Sequence, residues 1–216
     1  DQEALLPLGG SCGRSLDLVN LSFSGAQPFQ QCGDTLIDAR DLQQYPTVQV
    51  GTQCWMAKNL NVGNMILGLS DPGNNSLIEK YCFVNNTANC TEHGGLYQWG
   101  EMMAYTTVEG SQGICPEGWK LPNVADWQAL IGFAGGTAVA GGNLKETGTA
   151  HWQSPNTGAS NSFSFTALPG GRRESKGGFN FLDSEGNFWT SSLNGSSAKA
   201  FTIYHNSAGI SELSFA

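Results

Sequence analysis

Residues 113–136 read Gly113-Ile-Cys-Pro-Glu-Gly-Trp-Lys-Leu-Pro122 and then Asn123-Val-Ala-Asp-Trp-Gln-Ala-Leu-Ile-Gly-Phe-Ala-Gly-Gly136. The second half predicts a helix. Asn123 is its N-cap, and Asp126, three residues on, sits beside the positive end of the helix dipole. Trp127, Leu130, Ile131 and Ala134 recur at helical spacing and make one apolar face. Gly132 and Gly135-Gly136 bring the helix to an end. A second helix is expected over Leu96–Tyr105, where Leu96, Trp99, Met102 and Met103 share a face. The aromatic and Met residues of both helices read as core.

Short β runs surround these helices. Thr47-Val-Gln-Val50 and Cys54-Trp-Met-Ala57 are joined by Gly51-Thr-Gln53, a hairpin-length turn. Asp71-Pro-Gly-Asn-Asn75 is a strong turn signal. Beyond residue 150 the strand-like runs are Ser162–Leu168, Gly178–Leu182, Asn187–Ser191, Ala198–His205 and Ile210–Phe215, separated by Gly and Ser turns. Pro169-Gly-Gly-Arg-Arg173 reads as a turn, because no G-K-[ST] follows to make a phosphate loop. The fold class is therefore α+β, a few helices beside an antiparallel, turn-rich sheet. Residues 1–31 form a leader, in which Leu16, Leu18, Leu21 and Phe23 give an imperfect strand-like alternation. Such a strand can pack on its own domain, residues 32–216, or act as an arm that pairs with a neighbouring subunit.

The chain has 216 residues, enough for one domain with a tail. Only 13% are charged, and Asp+Glu 18 against Lys+Arg 10 leaves a net charge of -8. That balance argues against nucleic acid and anionic lipid as partners, since both call for clustered Lys and Arg. A hydrophobic content of 39% is too high for a disordered chain. No apolar run approaches the ~18 residues of a membrane span. The sequence opens at Asp1, with no basic start followed by an apolar stretch, which suggests a mature end left by a removed signal peptide.

Six cysteines, Cys12, Cys32, Cys54, Cys82, Cys90 and Cys115, lie in the first 115 residues. There is no C-x-x-C pair, and His93, His151 and His205 stand far apart, so a zinc site is not expected. An even count in a Gly- and Asn-rich, weakly charged chain reads as disulfides and an oxidising, exported location. Spacing leaves the connectivity open, although a local Cys82–Cys90 bond would clamp an Asn-rich loop. The sequons at Asn20, Asn74, Asn85, Asn89 and Asn194 read as surface loops.

Signals for chemistry are sparse. No G-x-S-x-G elbow is present, and the three histidines have no triad partners nearby in sequence. The pairs Glu101/Glu109 and Asp183/Glu185 read as solvated surface. Asp183, Glu185 and Asn187, or Asp71, Asn74 and Asn75, are candidate Ca²⁺ ligands as clustered hard oxygens, though each set reads first as a turn cap. No other cofactor is expected. Trp152, between His151 and Gln153, is a candidate surface aromatic for stacking on a sugar.

Several motifs together resemble a known family. They are Cys32-Gly-Asp-Thr-Leu-Ile-Asp-Ala-Arg-Asp41, Tyr45-Pro-Thr-Val-Gln-Val-Gly-Thr-Gln-Cys-Trp-Met-Ala-Lys-Asn-Leu-Asn61 and Tyr81-Cys with Asn89-Cys90. Gly95-Leu-Tyr-Gln-Trp-Gly-Glu-Met-Met103, the Gly113–Pro122 stretch with Asp126-Trp127, Thr166-Ala-Leu-Pro-Gly-Gly171 and Phe188-Trp-Thr-Ser-Ser192 follow in order. From about Cys32 to the C-terminus the series resembles the FISUMP domain, the Fibrobacter succinogenes major paralogous domain. The resemblance implies an exported bacterial surface or secreted protein. It also implies a C-type-lectin-like fold with short antiparallel strands, two main helices and long loops. The Glu-Pro-Asn and Trp-Asn-Asp motifs of calcium-dependent sugar binding are absent. The cysteines match structural positions of the family pattern, so the activity of the similar formylglycine-generating enzymes is not carried over.

Family members continue into one more strand with a pattern like G-F-S-V-R-C, whereas this sequence stops at Ala216. The expectation is that the leader strand around Ser15–Phe23 takes that strand's place. With Cys32–Cys54 and Cys82–Cys90 paired, Cys12 would bond Cys115, within one chain or between chains. Strand addition from one copy to the next would build a head-to-tail filament. The function expected is thus non-catalytic, a structural or adhesive cell-surface protein that self-associates into a homopolymer. The alternative is a monomeric module that binds a surface glycan or protein, and the third reading is an enzyme not recognised from its motifs.

Overall fold

The computed structural model describes residues 6–7, 12–15 and 31–215. The leader contributes β1 (Leu6–Pro7) and β2 (Gly13–Ser15). Then come β3 (Thr35–Ile37), β4 (Gln44–Val50) and β5 (Gln53–Met56). β4 and β5 form the expected hairpin, with Val50 opposite Gln53, and β2 adds to the outer side of β5 in an antiparallel sheet of order β2-β5-β4-β3. Gly51 turns the hairpin with φ 62, and a Cβ there would stand 3.1 Å from the Phe133 ring.

The middle of the chain is irregular. β6 (Asn64–Met65) and β7 (Glu79–Lys80) form a short parallel pair. The helices are α1 (Thr87–His93), α2 (Trp99–Met102), α3 (Val124–Phe133) and α4 (Ala140–Leu144). α3 begins where the sequence places it. Asn123 Oδ1 accepts from Asp126 N–H at 2.8 Å and Asp126 Oδ2 accepts from Asn123 N–H at 2.9 Å, a reciprocal capping box.

The last third holds β8 (Gly170–Arg173), β9 (Phe179–Leu182), β10 (Glu185–Asn194), β11 (Ser197–Tyr204) and β12 (Ile210–Phe215). One antiparallel sheet runs β10-β11-β12, and another runs β1-β8-β9. Few short helices among antiparallel sheets make the fold α+β.

Two apolar clusters fill the interior. Trp127 of α3 lies between Trp55, Phe165, Phe188 and Phe201, with the Phe201 ring stacked at 5.2 Å. The other cluster gathers Tyr45, Tyr81, Tyr97, Trp119 and Trp189 around Cys12 and Cys115. Each fully buried large side chain contributes on the order of 1.5–3 kcal/mol of transfer free energy. All six cysteines are bonded: Cys12–Cys115, Cys32–Cys54 and Cys82–Cys90.

Four local expectations are corrected. The helix over Leu96–Tyr105 shrinks to α2, because Leu96 bridges to Tyr81 and Ala104 and Tyr105 turn to φ 49 and 59. Ser162–Leu168 is a chain of turns: the Asn161 side chain accepts from Thr166 N–H and donates to its hydroxyl, a local alternative to a ladder. Pro169–Arg173 contains β8 rather than a turn. Its Gly171, at φ 68, lets the chain press against β9, where a Cβ would lie 2.5 Å from the Asn180 carbonyl. Asn89 lies on α1 rather than in a loop.

Candidate functional site

The side chains of Glu92, His93, Glu146, His151 and Asp183 come together from three parts of the chain. α1 starts at Asn86, whose side chain accepts from Ala88 N–H, and ends on Glu92 and His93. The His93 carbonyl accepts from Asn59 Nδ2 at 2.7 Å. The next residue, Gly94, adopts φ 86, and a Cβ there would lie 2.4 Å from that of Asn59. Only glycine permits that approach.

The segment after α4 brings Glu146 and His151. Lys145 is fully buried, and its ammonium donates to the carbonyls of Thr157, Tyr204 and Ser207 at 2.9, 3.0 and 3.0 Å. Asn156 Nδ2 holds the carbonyls of Glu146 and Gly148, at 2.9 and 2.6 Å. Gln153 N–H donates to the Asp183 carbonyl at 2.7 Å, which ties the segment to the turn between β9 and β10.

Both ring nitrogens of His151 face carboxylates. Nδ1 lies 2.7 Å from Glu146 Oε2 and Nε2 lies 2.6 Å from Glu92 Oε1. Burial pulls the imidazole pKa down, but the two hydrogen-bonded carboxylates outweigh it and leave it raised. The hydrogen bond from His151 lowers the Glu92 carboxyl in turn. His93 packs edge-on against His151, ring centroids 5.6 Å apart. Burial pushes His93 down, the attraction of Asp183 opposes this, and the Nδ1 of His93 has no hydrogen-bond partner among the described residues. Beside this cluster lies an open cleft of ≈ 260 Å³, lined by Thr149, His151, Gln153, Ser154, Leu182 and Asp183.

The family model for the Fibrobacter succinogenes major domain matches residues 48–212. The chain belongs to this family. No curated protein and no solved structure matches it.

Trp152 is corrected from surface to core: it is 1% exposed, and its Nε1–H donates to the Ala167 carbonyl at 2.9 Å. It still borders the cleft, together with its neighbours Thr149, His151 and Gln153. Of the three Ca²⁺ candidates, Asp183 is exposed on a turn, while Glu185 and Asn187 are buried and already engaged. Glu185 pairs with Arg172 at 2.9 Å, and Asn187 accepts from the Thr202 hydroxyl at 2.8 Å. Among the described residues no group of three or more His, Cys, Asp or Glu side chains is arranged to hold a metal ion.

Glu101 and Glu185 are buried rather than solvated. Burial raises the Glu101 carboxyl, while Glu79 N–H and the Tyr105 hydroxyl donate to it at 3.0 and 2.8 Å. The arm residues Leu16, Leu18, Leu21 and Phe23 lie outside the described residues. The root of the arm is described: Cys12 bonds Cys115, and Gly13 bridges Lys120 as β2 joins β5. Sequence reasoning missed the Glu92–His151–Glu146 cluster. Glu92 and His151 are separated by 59 positions, with no periodicity to link them.

Proposed function

We propose that this Fibrobacter succinogenes major domain protein is a non-catalytic, exported structural or adhesive subunit that polymerises through its leader. The observation that carries the reading is the outer edge of β12. Ser211–Phe215 make no backbone hydrogen bonds, among the described residues, beyond those to β11. The inner face of that strand is anchored: Phe215 meets Trp189 edge-on at 5.7 Å, and Ile210 is buried. A packed strand with an open edge is a template for strand addition.

The occupant proposed is Leu16–Phe23 of a second copy. Eight extended residues span about 27 Å, enough to run along the six of β12 at about 20 Å. In this arrangement Cys12–Cys115 and β2 root the leader on its own domain, and the alternating Leu and Phe stretch reaches the neighbour. Three disulfides support an exported protein.

Negative-stain microscopy and sedimentation test the reading. The wild-type protein should form filaments, and a variant with residues 16–30 replaced by a Gly-Ser linker should remain single with its disulfides intact. Non-reducing gels distinguish Cys12–Cys115 bonds made between copies. A wild-type protein that stays single at high concentration overturns the proposal. The cleft beside His151 favours the second reading, a lectin-like carbohydrate- or protein-binding module. A single copy retained on a polysaccharide column would establish it.

A further inference from the structure

We propose that Glu92, His151 and Glu146 form a pH-operated latch, closed while His151 is protonated and opened when it loses its proton. A carboxylate only accepts, and a neutral imidazole carries one N–H and one lone pair. Two carboxylate oxygens at 2.7 and 2.6 Å, one on each ring nitrogen, are therefore both satisfied only by the imidazolium. Loss of the proton turns a lone pair toward one carboxylate and removes the positive charge between Glu92 and Glu146.

The groups around the ring set the direction. α1 presents Glu92 and His93, the segment after α4 presents Glu146, and the β9–β10 turn presents Asp183. Lys145 is adjacent in sequence, but its ammonium goes to three carbonyls on other segments. His93 is kept neutral by burial, so it adds no charge at neutral pH. His151 has the opposite shift, since its carboxylate partners raise it despite burial.

The part that moves follows from the anchors. Lys145, Asn156 and the buried Trp152 ring fix the ends of the segment. Exposed Thr149 and Ala150, with His151, are held to α1 through Glu92, and they form one wall of the cleft. Opening the latch widens that cleft, and closing it defines its shape. The inference stands whether or not the leader polymerises.

NMR titration of the histidine rings tests it on the full chain. His151 should titrate above the usual ~6.5, and the ring-to-ring NOE between His93 and His151 should be lost as the pH passes that midpoint. In Glu92→Gln/Glu146→Gln the proton affinity of His151 should fall about tenfold or more, one pH unit, and the loss of the NOE should move with it. A His151 midpoint at or below ~6.5 overturns the latch, and so does an NOE that persists unchanged across the midpoint.

Discussion

The Lys145 ammonium lies 5.3 Å from the centroid of the Trp152 ring, and its hydrogen bonds go to three carbonyls on the segments at Thr157, Tyr204 and Ser207. A lysine is buried here without a carboxylate partner, among the described residues, because three backbone oxygens and an aromatic face replace its hydration. Burial pulls the group down to about 8, so at neutral pH the charged form still fills all three acceptors. Lys145→Met should therefore destabilise the protein by about 3–5 kcal/mol, read from denaturant midpoints, because three carbonyls lose their donor at once. A loss under about 1 kcal/mol would mean that water replaces the ammonium without cost.

The disulfides should contribute unequally. Cys12–Cys115 closes a separation of 103 residues and Cys82–Cys90 one of 8. In the chain-entropy account, removing the first pair costs about 4–5 kcal/mol and removing the second about 2–3 kcal/mol. Cys12→Ala/Cys115→Ala should lower the denaturant midpoint further than Cys82→Ala/Cys90→Ala. The reverse order would place the contribution of Cys12–Cys115 outside the unfolded state.

Gly141 and Gly142 sit inside α4 rather than at a helix end, and backbone approach explains why. A Cβ on Gly141 would lie 2.0 Å from the Gly209 carbonyl oxygen, and one on Gly142 would lie 2.4 Å from that of Gly158. Elsewhere in a helix Gly→Ala gains up to about 1 kcal/mol, but here Gly141→Ala should cost on the order of 1–3 kcal/mol by overpacking. Calorimetry should show a lower Tm. A higher Tm would show that the 207–209 turn yields freely.

These glycines mark where legibility in the sequence stopped. The α3 start was readable because Asn123 and Asp126 act on backbone groups within one turn. The β4–β5 hairpin was readable for the same reason, its turn and its pattern being local. Ala140–Leu144, with two adjacent glycines, carries no helical signal; the turns at 158 and 208–209 hold it. β8 was masked by its own Gly170-Gly171, whose role is close approach to β9. Trp152 carried an ambiguous signal, since a tryptophan in a loop-like stretch can face either way, and the Ala167 carbonyl drew it inward. The His151 cluster is assembled purely by tertiary packing across α1, the segment after α4 and the β9–β10 turn.

Breaking the capping box offers a local test. Asn123 satisfies one orphan N–H at the start of α3, and Asp126 returns the contact while also pairing with Lys120 at 2.7 Å. Asn123→Ala should cost about 1 kcal/mol, and Asn123→Ser, which keeps an acceptor, should recover most of it. Equal losses in the two variants would assign Asn123 a packing role.

His93 and His151 should shape acid and alkaline stability in opposite directions. Burial lowers His93, so below ~6.5 the unfolded chain takes up a proton that the folded chain refuses until lower pH. Stability therefore falls as pH drops through that window. His151 is raised: its contribution is fully present below ~6.5 and is lost as pH rises through its folded value. Wild-type stability should peak between the two. His93→Leu removes the acid-side loss together with the buried imidazole, so the difference in unfolding free energy between about pH 7 and about pH 5 should shrink. The change cannot exceed about 1.4 kcal/mol for each unit by which His93 is depressed. His151→Leu should flatten the alkaline side and leave the acid side falling. If His93→Leu leaves the acid-side slope unchanged, the carboxylates, rather than this ring, govern acid unfolding.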